Sequence, residues 1–269
     1  MPADSENQVE PSTDAVARFQ LIDPPTGFVD DPYPWYEQLR HQSPVHRLSE
    51  RSFFLSRYDD VIAAYRDPRT SSDKHAEFTP KFGDSPLLEH HTTSLVFNDP
   101  PLHTRVRRLI MGALNQKAIK KMELGLIQLI DKLLDDIEDQ NSVDMISDFA
   151  ARIPIEVIGN LLNIPQDERA PLRGWSLAIL SALEPVPNSK VLRTGNQAVI
   201  DFADYLRILV SDRRKTPGDP TVDVLTRQTQ GEKDGERLTE SELLHNCIFL
   251  LNAGPVSYTH LTLPTILLV

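Results

Sequence analysis

The chain contains a single cysteine, Cys247, among 269 residues. One cysteine excludes an internal disulfide bond and is typical of proteins from a reducing compartment. Basic residues are also scarce, because 28 lysines and arginines against 39 acidic residues give a formal net charge of −11. Nucleic-acid-binding surfaces are basic, so this charge balance argues against a nucleic-acid partner. The composition therefore favours an acidic protein, which we expect to be cytoplasmic.

Long apolar runs are missing as well. Residues 1–18 are polar and acidic, and they lack the basic and apolar stretches of a secretory signal. The apolar segment 261–269 is too short to span a bilayer. We therefore expect no membrane partner, and we predict that residues 1–18 form a disordered leader.

Helical periodicity dominates the rest of the chain, with apolar residues at three- and four-residue spacing. The predicted helices cover residues 33–41, 59–66, 100–114, 117–138, 145–162, 167–183 and 188–213. Two short strands are predicted at 45–48 and 53–56, separated by a turn. Residues 70–95 contain prolines and a glycine without a sustained period, which favours a long loop with at most one short helix. The predicted fold class is mainly α with a small β-sheet.

The segment 97–109, Phe-Asn-Asp-Pro-Pro-Leu-His-Thr-Arg-Val-Arg-Arg-Leu, is the most informative part of the chain. Asp99 and the two prolines after it suit the N-cap and first turn of a helix. His103 and Arg107 follow, four residues apart and beside an apolar face. An imidazole and a guanidinium held one turn apart can bind a partly buried carboxylate or phosphate. On spacing alone, the alternative is a solvated basic helix with an internal ion pair.

The pattern Asp-Pro-Pro-x-His-x-x-x-Arg resembles the C-helix signature of the cytochrome P450 family, the haem-thiolate monooxygenases, in its soluble bacterial branch. Other segments also resemble the family, and they occur in the family's order along the chain. They are residues 31–40, 53–62, 67–72, 148–154, 162–165 and 238–254. The resemblance implies that residues 19–254 form the N-terminal portion of a P450 domain, from helix A to the start of helix I. The expected fold is thus a truncated P450 fold.

The same resemblance implies a b-type haem in the intact parent, with His103 and Arg107 hydrogen-bonded to its propionates. It also implies an organic small-molecule substrate, dioxygen and a ferredoxin-type electron donor. In relatives the B–C loop and the turn between helices F and G lie over the substrate. The candidate substrate-pocket residues are therefore Phe78, Phe82, Leu87, Leu88, Leu180 and Leu183.

Two further features have less specific interpretations. Relatives often dock the electron donor on the outward basic face of helix C, although Arg105 and Arg108 are each expected to be solvated arginines. His90 and His91 lack a cysteine or carboxylate cluster at metal-ligand spacing, so we interpret them as surface histidines. No metal ligand is expected in this chain.

The resemblance ends at Gly254. Relatives continue the Ala-Gly pair, here Ala253 and Gly254, into an acidic residue and threonines that manage protons at the oxygen-binding side of the haem. Here Pro255 follows, and proline is expected to break the helix. The segment after it resembles the conceptual translation of a transposase adaptor used in sequencing libraries. We therefore expect residues 255–269 to be non-native, and we expect no catalytic residue in the chain.

Cys247 lies on the apolar stripe of the predicted I helix, where a cysteine behaves as a small buried hydrophobe. The iron-ligating cysteine of relatives lies in a Phe-x-x-Gly-x-x-x-Cys loop that this sequence does not contain. The sequence thus predicts an inactive fragment of a haem-dependent monooxygenase. The alternative is a non-catalytic helical binding or interaction protein that retains an anion site at His103 and Arg107. Extending the reading frame in native DNA discriminates between the two.

Overall fold

The computed structural model describes residues 11–113, 116–184, 187–220, 223–230 and 237–256. The chain divides into two compact units, residues 1–71 and residues 72–269. Among the described helices, none combines the length and the apolar character required to cross a bilayer.

In its described residues, 11–71, the first unit contains three helices and a β-hairpin. They are α1 (Thr13–Ala17), α2 (Tyr33–Gln42), β1 (Val45–Arg47), β2 (Phe53–Leu55) and α3 (Tyr58–Arg66). The two strands pair antiparallel, with Val45 opposite Leu55. Its core consists of Val16, Phe19, Phe28 and Leu39. Both predicted strands and both predicted helices of this region are confirmed.

The predicted disordered leader is wrong where the structure describes it. Ser12 caps α1, because its hydroxyl oxygen accepts a hydrogen bond from the Ala15 amide at 3.3 Å. Val16 is 1% exposed and packs in the core beside Phe19. Burial of these apolar side chains orders the segment in spite of its polar composition. Residues 1–10 lie outside the described residues.

The second unit is helical in its described parts. Its α-helices are α4 (His75–Phe82), α5 (Pro86–Thr93), α6 (Leu102–Ala113), α7 (Gln116–Glu138), α8 (Arg152–Leu161), α9 (Leu172–Ser181), α10 (Ser189–Lys215), α11 (Val224–Gln230) and α12 (Glu240–Val256). Short turns of 3₁₀ helix lie at Leu95–Phe97 and Gln166–Glu168, and a π-helical turn lies at Met145–Ala150. The predicted helices of this region are confirmed, with shifted ends. The predicted helix 145–162 is divided into the π turn and α8.

The loop predicted at residues 70–95 instead contains two helices, α4 and α5. Ser85 starts α5 by accepting a hydrogen bond from the Leu88 amide, and Pro86 occupies the first turn, where its missing N–H is harmless. Phe78, Phe82 and Leu87 are buried in the core of the unit. Each helix is about two turns long, too short to produce a sustained period in the sequence.

The core of the second unit lies between α10 and its neighbours α5, α9, α11 and α12, and α12 also packs on α8 and α9. Leu172, Ile179, Phe202, Leu225 and Ile248 are among its fully buried side chains. Helix α12 continues through Pro255 to Val256, the last residue that the structure describes, so the helix break predicted at Pro255 does not occur within the described part of the chain. Residues 257–269 of the predicted non-native tail lie outside the described residues.

Candidate functional site

His103 and Arg107 lie one turn apart on α6, with His103 half-buried and Arg107 exposed. The chain enters the helix through Asp99, whose carbonyl accepts from the His103 amide at 3.0 Å and whose carboxylate accepts from the Ser72 amide at 2.8 Å. Neither the His103 nor the Arg107 side chain forms a hydrogen bond or ion pair within the described part of the chain. Within the described residues, the N–H donors of both side chains are therefore unused. This donor set fits carboxylate groups, because a guanidinium and an imidazole both donate N–H bonds.

Arg105, on the same helix, is paired. Its guanidinium contacts the carboxylate of Glu242 on α12 through both terminal nitrogens, and the side chains are 25% and 9% exposed. Burial raises the pKa of Glu242, but hydrogen bonds from Arg105 and the Thr239 amide outweigh it, so the net shift is downward. The prediction of a solvated Arg105 is therefore wrong, and this residue joins α6 to α12. Arg108 is half-buried and also contacts other groups of the protein.

A cavity of about 380 Å³ lies between α5, the 3₁₀ turn Leu95–Phe97, the end of α9 and α12. Of the six candidate pocket residues, Leu180 and Leu183 line it. Ala253 lines it as well, so the start of the predicted oxygen-binding segment faces the same space. The cavity therefore brings together parts of the chain that are far apart in sequence.

The other four candidate pocket residues lie elsewhere. Phe78, Phe82 and Leu87 are 4%, 8% and 0% exposed and belong to the core cluster, and Leu88 packs against that cluster. None of the four lines the cavity. Their apolar character reflects the buried faces of α4 and α5, two helices that the sequence analysis did not predict.

The interpretation of His90 and His91 as surface histidines is wrong, since they are 2% and 3% exposed and line the cavity. His90 Nδ1 lies 3.4 Å from Nδ1 of His245 on α12, and His245 Nε2 lies 3.5 Å from a carboxylate oxygen of Glu89. Within the described residues, no three histidine, cysteine or acidic side chains form a group that could hold a metal ion. These histidines are therefore buried packing groups that also face the cavity.

The environment of His91 keeps its imidazole neutral. The ring lies among Phe78, Phe82 and Phe97, at centroid distances of 5.5, 5.4 and 5.6 Å. Burial lowers the pKa of His91 to about 4, with a further contribution from the positive charge of Lys81. Burial also lowers the pKa of His90 well below its ordinary value. Both side chains are therefore uncharged near neutral pH.

Cys247 is completely buried on α12, as predicted. Its thiol donates to the side-chain carbonyl of Gln228, with a sulfur–oxygen distance of 3.4 Å. Burial raises the pKa of this thiol to about 12. A thiol in this environment stays protonated at neutral pH, whereas iron ligation requires a thiolate.

Gly254 permits the close packing of α12 on α8. A Cβ atom at this position would lie 3.3 Å from the Ile158 side chain and 3.4 Å from the Pro154 carbonyl oxygen. Even an alanine would therefore crowd this contact. The glycine thus has a packing role in addition to the one that the family resemblance implies for the start of the oxygen-binding segment.

No profile of a known protein family matches the chain. Individual proteins nevertheless match it over most of its length. The chain is 29% identical over 238 residues to the polyketide biosynthesis cytochrome P450 PksS of Bacillus subtilis, a match covering 84% of this chain and 57% of that protein. It is 30% identical over 241 residues to cytochrome P450 107B1 of Saccharopolyspora erythraea, covering 84% of this chain and 56% of that protein. The chain thus spans little more than half the length of these relatives.

Solved structures give the same result. P450BioI, in complex with an acyl carrier protein ligated to hexadec-9Z-enoic acid, matches with a TM-score of 0.75 and 25% identity, over 84% of this chain and 58% of that one. The Bacillus subtilis PksS structure matches with a TM-score of 0.70 and 27% identity, over 86% of this chain and 57% of that one. The fold of the chain is therefore a truncated form of the one that these proteins share.

Proposed function

Since this chain belongs to the cytochrome P450 family over the part that it shares with these relatives, we propose that it is the N-terminal part of a haem-dependent monooxygenase. The complete enzyme inserts oxygen into an organic small molecule and takes electrons from a ferredoxin-type partner. One observation carries the cofactor assignment: His103 and Arg107 lie one turn apart and have no partner in the described part of the chain.

The residues of this chain have two tasks in the proposed enzyme. His103 and Arg107 hold the haem propionates by N–H donation to carboxylate oxygens. The cavity at Leu180, Leu183 and Ala253 holds the substrate beside the start of the oxygen-binding segment. When bound through a cysteine thiolate, the haem supplies the activation of dioxygen for insertion into a C–H bond.

We further propose that the chain as it stands is inactive. Cys247 is its single cysteine, and that thiol is buried, protonated at neutral pH and hydrogen-bonded to Gln228. Without a thiolate ligand for iron, the electron donation that favours O–O bond cleavage is missing. The haem-holding cysteine is therefore expected in the part of the complete protein that corresponds to the remainder of its relatives.

The first experiment is to read the gene from an independent library, express the complete protein with haem and reduce it under carbon monoxide. We expect an open frame beyond Gly254 that contains the cysteine loop, and the thiolate-shifted absorption band of the carbon monoxide complex. A native frame that stops without such a loop would contradict the proposal, as would a colourless complete protein from haem-replete cells.

The second experiment compares Arg107→Ala with Arg193→Ala in that complete protein. Each charge-assisted hydrogen bond contributes about 1.5–3 kcal/mol, so Arg107→Ala should weaken haem binding roughly 10- to 100-fold. Arg193 is exposed on α10 and should have no effect. Arg105→Ala is unsuitable as a control, because it breaks the pair with Glu242. The readout is haem transfer to an excess of a haem-free acceptor protein, and equal transfer from both variants would count against the assignment.

A further inference from the structure

Helix α7 carries a row of large apolar side chains on its solvent-exposed side. Leu124, Ile127 and Leu134 are 74%, 50% and 46% exposed. Leu133, on another face of the same helix, is 1% exposed, and α7 packs on α8 and on the π-helical turn. Single exposed apolar residues are common on protein surfaces, but three in line on one helix indicate a contact surface.

The row belongs to a longer series with the spacing of a coiled coil. The members of this series, which we call the α7 seam, are Lys120, Leu124, Ile127, Asp131, Leu134 and Glu138. All six side chains are exposed, and successive members are separated by 4, 3, 4, 3 and 4 residues. Alternate steps of three and four residues place side chains along the line where one helix packs against another. The seam therefore predicts a helical partner.

The charges at the two ends of the α7 seam identify that partner. Lys120 and Glu138 form no ion pair within the described residues, and a straight helix holds them about 27 Å apart. A parallel copy of α7 would place like charges opposite each other at both ends, whereas an antiparallel copy places each Lys120 opposite a Glu138. The seam thus complements its own reverse, which is the property that a two-fold symmetric interface requires.

We propose that the α7 seam is the contact surface of an antiparallel homodimer, formed with α7 of a second copy of this chain. In the register that pairs the end charges, Leu124 lies opposite the partner's Leu134, and Ile127 lies opposite the partner's Asp131. A polar residue at such a position fixes the register at a cost in stability. The contact is short, so we expect a dissociation constant of about 10–100 µM. The inference concerns the chain itself and is independent of the proposed haem site.

The first test is sedimentation equilibrium of the chain from about 5 to about 500 µM, across the expected dissociation constant. About 0.15 M salt limits the repulsion that the net charge of −11 causes. We expect the wild type to change from monomer to dimer over this range. Leu134→Asp places a carboxylate opposite Leu124 twice in each dimer, so it should weaken association at least about tenfold. The matched control is Ile208→Asp, because Ile208 is 66% exposed on α10, outside the seam, and should leave the dissociation constant unchanged.

The second test exchanges the charges. Lys120→Glu and Glu138→Lys each place like charges opposite each other at both ends of the dimer, so each should weaken association about five- to tenfold. The double variant restores opposite charges and should recover most of the wild-type affinity. Within one chain the two residues are about 27 Å apart, too far for a direct ion pair, so recovery requires a second copy.

The positions changed in these variants are exposed, so each variant should keep the wild-type circular dichroism spectrum and unfolding temperature. A chain that stays monomeric at about 500 µM would overturn the proposal, and the seam would then be left for a segment of the complete protein. So would an association that Leu134→Asp leaves intact, since the contact would then lie elsewhere. A double variant that dimerises no better than the two single variants would also contradict the antiparallel register.

Discussion

Replacing Arg169 with methionine is expected to lower the free energy of unfolding of the second unit by about 3–5 kcal/mol. The Arg169 side chain is 8% exposed, and one terminal nitrogen contacts the Glu156 carboxylate. Nε and Nη2 both donate to the Ile164 carbonyl, at 3.0 and 2.6 Å, and Nη2 donates to Asn160 Oδ1 at 2.9 Å. Methionine keeps the apolar stem but leaves these acceptors without their donors.

The packing around Arg169 explains why no other side chain can replace its guanidinium. It lies directly over Gly159 of α8, where a Cβ atom would come within 2.6 Å of Arg169 Nε. The contact fixes the connection from α8 to α9, and the end of α9 supplies Leu180 to the cavity wall. Loss of Arg169 should therefore disturb the cavity as well as the stability of the unit.

The matched control is Arg152→Met on α8. Arg152 forms a single ion pair with Asp136 at 3.3 Å, and the side chains are 47% and 41% exposed. Exposed pairs contribute little, so this variant should lose less than about 1 kcal/mol. Urea unfolding followed by circular dichroism measures both changes at neutral pH. Similar losses in the two variants would mean that the buried network does not stabilise the unit as described.

The helices and the hairpin were predictable because their patterns are local and repeated. The strands at residues 45–47 and 53–55, and the long helices α7 and α10, follow directly from apolar spacing. The pair on α6 was predictable because helix geometry alone places residues four apart on one face. Similarity to P450 structures then confirmed the fold class.

The cavity was only partly predictable, because its walls come from separate elements. His90 and His91 gave no signal of burial, since α5 is short and its partner α12 lies more than 140 residues away in the chain. Asn252 is a polar residue in an apolar helix, and its environment depends on α5 and α9 packing against it. The ion pair of Arg105 was not predictable, because it depends on Glu242, which lies on α12 and far away in the sequence.

Acidification from about pH 7 to about pH 5 is expected to destabilise the second unit by about 2 kcal/mol through His91 alone. The pKa of His91 is about 4 in the folded chain, below its ordinary value of 6.5. Below pH 6.5 the unfolded state therefore binds a proton that the folded state excludes. The contribution of His91 to the free energy of unfolding is therefore fully present above this pH, and it is lost progressively as the pH decreases towards 4.

The neighbours of His91 act in the same window. His90 has a pKa lowered by burial and by the two nearby histidines, so it should increase the loss. The pKa of His245 is also lowered by burial, although the Glu89 carboxylate opposes that shift. The positive charge of Lys81 repels a proton on His91 and so lowers the pKa of His91 further. The lowered carboxylate pKa of Glu242 contributes only below this range.

The His91→Phe variant isolates the contribution, because a phenyl ring fits among Phe78, Phe82 and Phe97 and cannot take up a proton. Urea midpoints measured from pH 7 to pH 5 should show about 2 kcal/mol less pH dependence in this variant than in the wild type. The control is His75→Gln, since the His75 side chain is 55% exposed and should leave the profile unchanged. If the wild type and His91→Phe lost stability in parallel, the imidazole would have to be hydrated in the folded chain.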